Sequence, residues 1–147
     1  MNMNYIFGIA AAVCVVAGVA YVLRSPPNAP SLHTRTVTMA STTVTLAVAA
    51  DDQSRQKGLG GRTNIGTGMF FIFDSDDLWG IWMKDMQVPL DIVWLDKNGA
   101  IITADTNVAP DTYPRVFYPT SPARYVVELP AGFLESHYIQ AGDKVKL

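Results

Sequence analysis

Charged side chains, Asp85 among them, stand inside stretches that are otherwise largely apolar, and three of them are the residues best placed to do chemistry. Lys84 and Asp91 lie within GIWMKDMQVPLDIVWLDKNG (residues 80–99), and Glu128 lies within RYVVELP (residues 124–130). Two carboxylates can act as general acid and base, or as acid and nucleophile, on a glycosidic bond if their separation suits it. A carboxylate beside a lysine and aromatic rings can instead form the polar floor of a ligand cleft. A third arrangement is structural, with Lys84 neutralising one acid and backbone N–H groups holding it in place. The favoured expectation is binding. Trp82, Met83, Lys84, Asp91, Tyr125 and Glu128 would form a cleft for a small polar ligand or an envelope component. A glycan-directed hydrolase using Asp91 and Glu128 is the alternative, and a structural or protein-interaction module is the third reading. Exposed aromatics along residues 105–122 would favour that last one.

Other chemistries find less support in the residue types. The single cysteine, Cys14, sits in an apolar N-terminal run, so residues 25–147 offer no disulfide, thiolate nucleophile or cysteine-based metal site. The two histidines, His33 and His137, have no metal-ligand spacing. Ser136 and His137 are neighbours in sequence, which disfavours them as nucleophile and base. Asp74, Asp76 and Asp77 in DSDD lack the EF-hand register and read as a solvated turn. GLGGRTNIGTG (residues 58–68) lacks the Lys–Ser/Thr ending of a phosphate loop and reads as a chain reversal. Accordingly no cofactor and no metal are predicted. A net charge of −2 without a basic stripe argues against nucleic acid.

The positioning elements follow from hydrophobic periodicity. TRTVTMA and TTVTLAVA alternate with a period of two and predict a first strand pair. Asp51 or Asp52 can cap a short helix that Gly58 ends. MFFIF predicts a buried strand, DSDDLWG a turn, and IWM and LDIVWLD two more strands. DKNG is a hairpin turn, with AIITADTN as its returning strand. RYVVELP is a further strand, GFLESHYIQAG a short helix or turn, and DKVKL the closing strand. Along LDIVWLD, Leu90, Ile92 and Trp94 share one face, and Asp91, Val93 and Leu95 the other. Trp94 is read as core. Glu128 shares a face with Val126, while Tyr125, Val127 and Leu129 share the opposite one. Many short strands with brief helices predict an all-β single domain, a small barrel or sandwich.

Residues 1–24 are set apart from that domain. Tyr5 to Leu23 is an unbroken apolar run near the lower length for a membrane-spanning helix. Gly18 and Ala20 offer a cleavage site, but MNMN carries no basic residue and the apolar run continues past Ala20, which favours an uncleaved anchor. Residues 25–33, with three prolines, read as a linker, and residues 34–147 as the β-rich domain. The membrane, through residues 5–23, is thus a predicted partner, with the domain periplasmic or extracellular. Oligomeric state is left open.

The succession GL..R, GMFFIF, WMKD, PLDIVWLDKNGAI, YPTSPARYVVELPAG and AGDKV resembles the domain of unknown function 192 family, from about Thr36 to Leu147. The family pattern falls on Gly58, Leu59, Arg62, Gly68, Met69, Trp82, Met83, Lys84, Pro89, Leu90, Asp91, Gly99, Glu128, Gly132 and Gly142, and this match adds Arg62 to the candidate site. The resemblance implies a compact β-rich domain behind an export signal or anchor, and it implies no activity. Two departures stand out. Gly60 replaces the family's methionine after GL, and Asp85–Met86 replaces Asn-Thr after WMK. If those positions line a site, its specificity is altered here.

Overall fold

Alternating threonine and apolar residues build the first hairpin. Strands β1 (Thr34–Met39) and β2 (Thr42–Ala49) pair antiparallel, burying Val37, Met39, Val44 and Leu46. The chain is represented by a computed structural model that describes residues 33–147. The predicted membrane segment, residues 5–23, lies outside the described residues. Among the described residues, no helix is long and apolar enough to cross a membrane.

After β2 the chain crosses over to a parallel partner. Helix α1 (Asp52–Lys57) opens with Asp51, whose carboxylate accepts the Ser54 N–H at 2.8 Å, and closes at Gly58. The glycine-rich loop then leads into β3 (Met69–Asp77), which runs parallel to β2. β3 is longer than MFFIF alone. The DSDD segment, predicted to be a turn, is its exposed outer half, because arginines hold its carboxylates in line. Asp76 Oδ1 accepts from Arg124 Nε at 2.6 Å, and Asp74 lies 4.0 Å from Arg55.

The remaining strands are β4 (Ile81–Trp82), β5 (Leu90–Leu95), β6 (Ile101–Val108), β7 (Val116–Phe117), β8 (Ala123–Pro130) and β9 (Val145–Lys146), with helix α2 (Phe133–Ser136) before the last. Seven of the nine form one mixed sheet in the order β6-β5-β8-β3-β2-β1-β9, and β4 and β7 form a separate ribbon. The fold is all-β with two short helices, as the periodicity predicts. The sheet curls on itself rather than splitting into a sandwich. Its two edges meet beside the β5–β6 turn, where Val145 N–H donates to Gly99 C=O at 2.8 Å and Ile101 N–H to Asp143 C=O at 2.8 Å.

Each face of the sheet carries its own apolar layer. One contains Met69, Phe71, Leu90, Ile92, Trp94 and Val126, covered by Leu59, Ile81, Met83 and Met86. The other contains Leu46, Phe70, Val93, Leu95, Val127 and Leu129, covered by Leu134 and Ile139. Fully buried on both faces, β5 reads as a continuous apolar run, which is why Asp91 stands out in it.

Candidate functional site

Asp91 and Glu128 are the two buried charged residues among those described, at 0% and 5% exposure. Their environments are unlike. Asp91 sits where β6 carries one extra residue against β5, since Leu90 pairs with Val108 but Ile92 pairs with Asp105. This bulge turns the Asn107 N–H onto Asp91 Oδ1 at 2.9 Å. Gly132 N–H donates to the same oxygen at 3.2 Å, and Leu134 N–H donates to Oδ2 at 2.9 Å. Asp91 therefore ties three backbone segments together: β5, the end of β6 and the start of α2. This corrects the expectation that it lines a cleft.

Glu128 lies near the middle of the sheet, between Ile92 on β5 and Met69 on β3. Its Oε2 is buried and has no hydrogen-bond partner among the described residues. Burial with no compensating partner pushes its carboxyl up to about 8, so at neutral pH it holds its proton. The side chain faces a recess of about 50 Å³ lined by Lys57, Gly58, Leu59, Gly80, Trp82 and Lys84, with Gln56, Ile81 and Met86. Such a volume admits a few water molecules or one polar group of a ligand.

The recess exists because three separated segments converge. The end of α1 and Gly58–Leu59 form one wall. The β4 ribbon brings Ile81 inward and Trp82 outward, with Trp82 49% exposed. Gly68 lets the crossover loop press onto β8, for its φ is +117° and a side chain there would overlap the Glu128 carbonyl oxygen. Gly61 N–H donates to Asp85 C=O at 2.7 Å, joining the glycine-rich loop to the segment after Lys84.

Of the predicted site residues, Trp82, Lys84 and Glu128 meet at this recess. The others do not. Met83 is 1% exposed and belongs to the core. Tyr125 projects from the opposite face of β8 and packs on Phe70, with ring centroids 5.3 Å apart. Arg62 is half-buried in the loop and does not line the recess. Lys84 is exposed and pairs with neither acid among the described residues, so the predicted Lys84–carboxylate bridge is absent there. Trp94, as predicted, is core, its Nε1–H donating to Trp79 C=O at 2.8 Å. Sequence reasoning missed Lys57 and Gly80. Lys57 adjoins the GL pair that begins the loop, and that adjacency was its one available signal.

Two further readings change. Asp91 and Glu128 project from opposite faces of the sheet, so they cannot flank one glycosidic bond, and the hydrolase alternative loses its pair. Ser136 Oγ does approach His137 Nδ1, at 3.1 Å, although the two are sequence neighbours. The same Nδ1 lies 2.8 Å from Phe133 C=O, to which it must donate, and so cannot accept the serine proton.

The departures from the family pattern meet in space. A side chain at Gly60 would begin 3.3 Å from the Lys84 carbonyl and 3.5 Å from Asp85 Cβ. Asp85 has φ +59°, a left-handed conformation that asparagine and aspartate tolerate better than most residues. Asparagine and aspartate at this position thus answer the same backbone requirement.

Fold and recess define a small all-β domain, one curled sheet with a buried acid beneath a crossover loop. The chain belongs to the domain of unknown function 192 (DUF192) family, described as an uncharacterized ACR, which it matches over residues 34–147. Two crystal structures are similar to it. One, from Novosphingobium aromaticivorans DSM 12444, is a protein of unknown function, 26% identical, with a TM-score of 0.73 over 85% of this chain and 94% of its own. The other, from Sinorhizobium meliloti 1021, is described as a proposed transcription regulator, 28% identical, with a TM-score of 0.70 over 76% of this chain and 89% of its own. Comparison with curated proteins finds no match.

Proposed function

We propose that this chain is a membrane-anchored binding protein whose domain lies outside the cytoplasm and takes a small polar ligand at the Glu128 recess. One observation carries the reading: Glu128, one of whose carboxyl oxygens is buried without a hydrogen-bond partner among the described residues, lines a small recess. Leaving such a group unsatisfied costs about 1–3 kcal/mol, which a bound polar group would recover. The anchor rests on the apolar run at residues 5–23. The ligand sends one polar group into the recess and leaves its remainder against the exposed Trp82.

The test uses the full-length chain in detergent. Thermal shift is measured with amino acids, monosaccharides, carboxylates and phosphate esters, for the wild type and for Glu128→Leu. At least one class raises the wild-type midpoint, and the shift vanishes in the variant. If no compound gives a Glu128-dependent shift, the binding reading fails.

A second reading draws on the exposed Tyr113 and Tyr118, at 48% and 58%. They lie within residues 105–122, where exposed aromatics favour a protein-interaction module. Pull-down with Tyr113→Ser and Tyr118→Ser variants tests it; a specific partner lost in these variants but kept in Glu128→Leu supports this reading.

A further inference from the structure

The residues around the recess define what kind of polar group it accepts. The charged or titratable side chains lining it are Lys57 from α1, Lys84 after β4, and Glu128 itself. The strands flanking Glu128 present apolar Ile92 and Met69. With Glu128 protonated, the recess has a positive lip and a hydrogen-bond donor at its floor. A cation would meet two lysines, and a neutral group would leave their charge unused.

Outside the lip the β4–β7 ribbon forms a shelf. Ile81 and Phe117 pair and point inward, while Trp82 and Tyr118 are exposed. Gly80 makes the shelf continuous with the recess, because a methyl there would stand 2.7 Å from the Tyr118 ring, so the ring rests directly on the backbone.

We infer that the recess takes the oxyanion end of a small organic acid, a carboxylate or a phosphate, whose flat apolar body lies on the Trp82–Tyr118 shelf. Glu128 donates its hydrogen to an oxyanion oxygen, and Lys57 and Lys84 supply the compensating charge. This rests on the binding reading above and adds the ligand class. It also links binding to one proton. When Glu128 ionises, the donor becomes a second negative charge facing the anion, and affinity falls tenfold for each pH unit above about 8.

The experiment titrates the full chain with benzoate, phenyl phosphate, neutral benzamide and cationic benzamidinium between pH 6 and 9, following tryptophan fluorescence and calorimetry. Benzoate or phenyl phosphate binds, and which of the two is tighter assigns the oxyanion. Benzamide binds at least tenfold more weakly, and benzamidinium does not bind. Glu128→Gln keeps an N–H donor at the floor, so it retains anion binding and loses the pH dependence; a merely structural glutamate would leave the pH profile unmoved. Glu128→Leu loses binding, and Lys57→Gln with Lys84→Gln weakens it at least tenfold. If benzamide or benzamidinium binds in a Glu128-dependent way and the anions do not, the ligand class is wrong while the binding site stands. If no probe gives a Glu128-dependent signal, the oxyanion assignment fails; the broader panel above decides the site itself.

Discussion

Asp91 and Glu128 occupy adjacent strands one register step apart, yet their carboxyl groups lie on opposite sides of the sheet. Glu128 pairs across the ladder with Ile92, and Asp91 pairs with Leu129. Since side chains alternate along a strand, the single step puts the two acids in different apolar layers. One is saturated by three backbone donors and the other has an oxygen with none among the described residues. The same residue chemistry thus serves the scaffold in one layer and is left without a full set of partners, among the described residues, in the other.

Stability separates these roles. In Asp91→Asn the amide nitrogen must face a backbone N–H, either that of Leu134 or those of Asn107 and Gly132. Hydrogen bonds to a charged group contribute about 1.5–3 kcal/mol each, so the variant is expected to lose about 2–4 kcal/mol. Glu128→Gln removes the need to protonate a carboxylate on folding, so at pH 6 it should lose nothing and gain up to about 2 kcal/mol. Urea titration of both variants at pH 6 checks the contrast; equal losses would remove the distinction.

Stability should also depend on pH through Glu128, with a definite sign. Its folded carboxyl is raised from 4.5 to about 8, so between those values the folded chain keeps a proton that the unfolded chain has released. The stabilisation is complete below about pH 4.5 and is lost as pH rises toward 8, with a slope approaching about 1.4 kcal/mol per pH unit. Glu128→Gln lacks this slope. The difference between wild-type and variant unfolding free energies from pH 5 to 9 isolates it from other titrating groups, and a flat difference would show that Glu128 is not desolvated.

Much of this was legible along the chain, because strand alternation is a local property. The faces of LDIVWLD and of RYVVELP are as the sequence predicts, and so are the turn at Gly99 and a helix cap at one of the two candidate aspartates, Asp51. What alternation along single strands leaves open is which residue of β5 stands beside which residue of β8. That register is set by pairing between distant segments, and it alone separates Asp91 from Glu128. Lys57 was hidden for a related reason: its place depends on the crossover loop folding back over β8. The DSDD strand was missed because its support comes from Arg55 and Arg124, side chains remote in sequence.

The glycine-rich loop offers a direct test of that crossover. Gly68→Ala forces a left-handed φ on a side-chain-bearing residue and drives its methyl into the Glu128 carbonyl. The β3–β8 pairing must shift, and a loss above about 3 kcal/mol is expected from combined strain and overlap. Gly66→Ala is a control at positive φ with nothing within 4 Å, and it should lose about 1 kcal/mol. Comparable losses would mean that conformation alone, and not the close approach, demands glycine at position 68.

Trp94 and Trp82 should respond in opposite ways. Trp94 is fully buried and its indole N–H is satisfied by the Trp79 carbonyl, so Trp94→Ala should lose about 3–5 kcal/mol. Trp82 is half exposed on the shelf, with little apolar area to lose, and Trp82→Ala should change stability by less than about 1 kcal/mol. Its effect belongs to binding: the variant should fold as the wild type does yet bind the aromatic acids at least tenfold more weakly, while binding of inorganic phosphate, which has no body to lay on the shelf, changes little. Denaturant titration and calorimetry on the same preparations read both quantities. A Trp82→Ala protein that unfolds as readily as Trp94→Ala would make the ribbon part of the core, and one that binds aromatic acids unchanged would take the shelf out of the site.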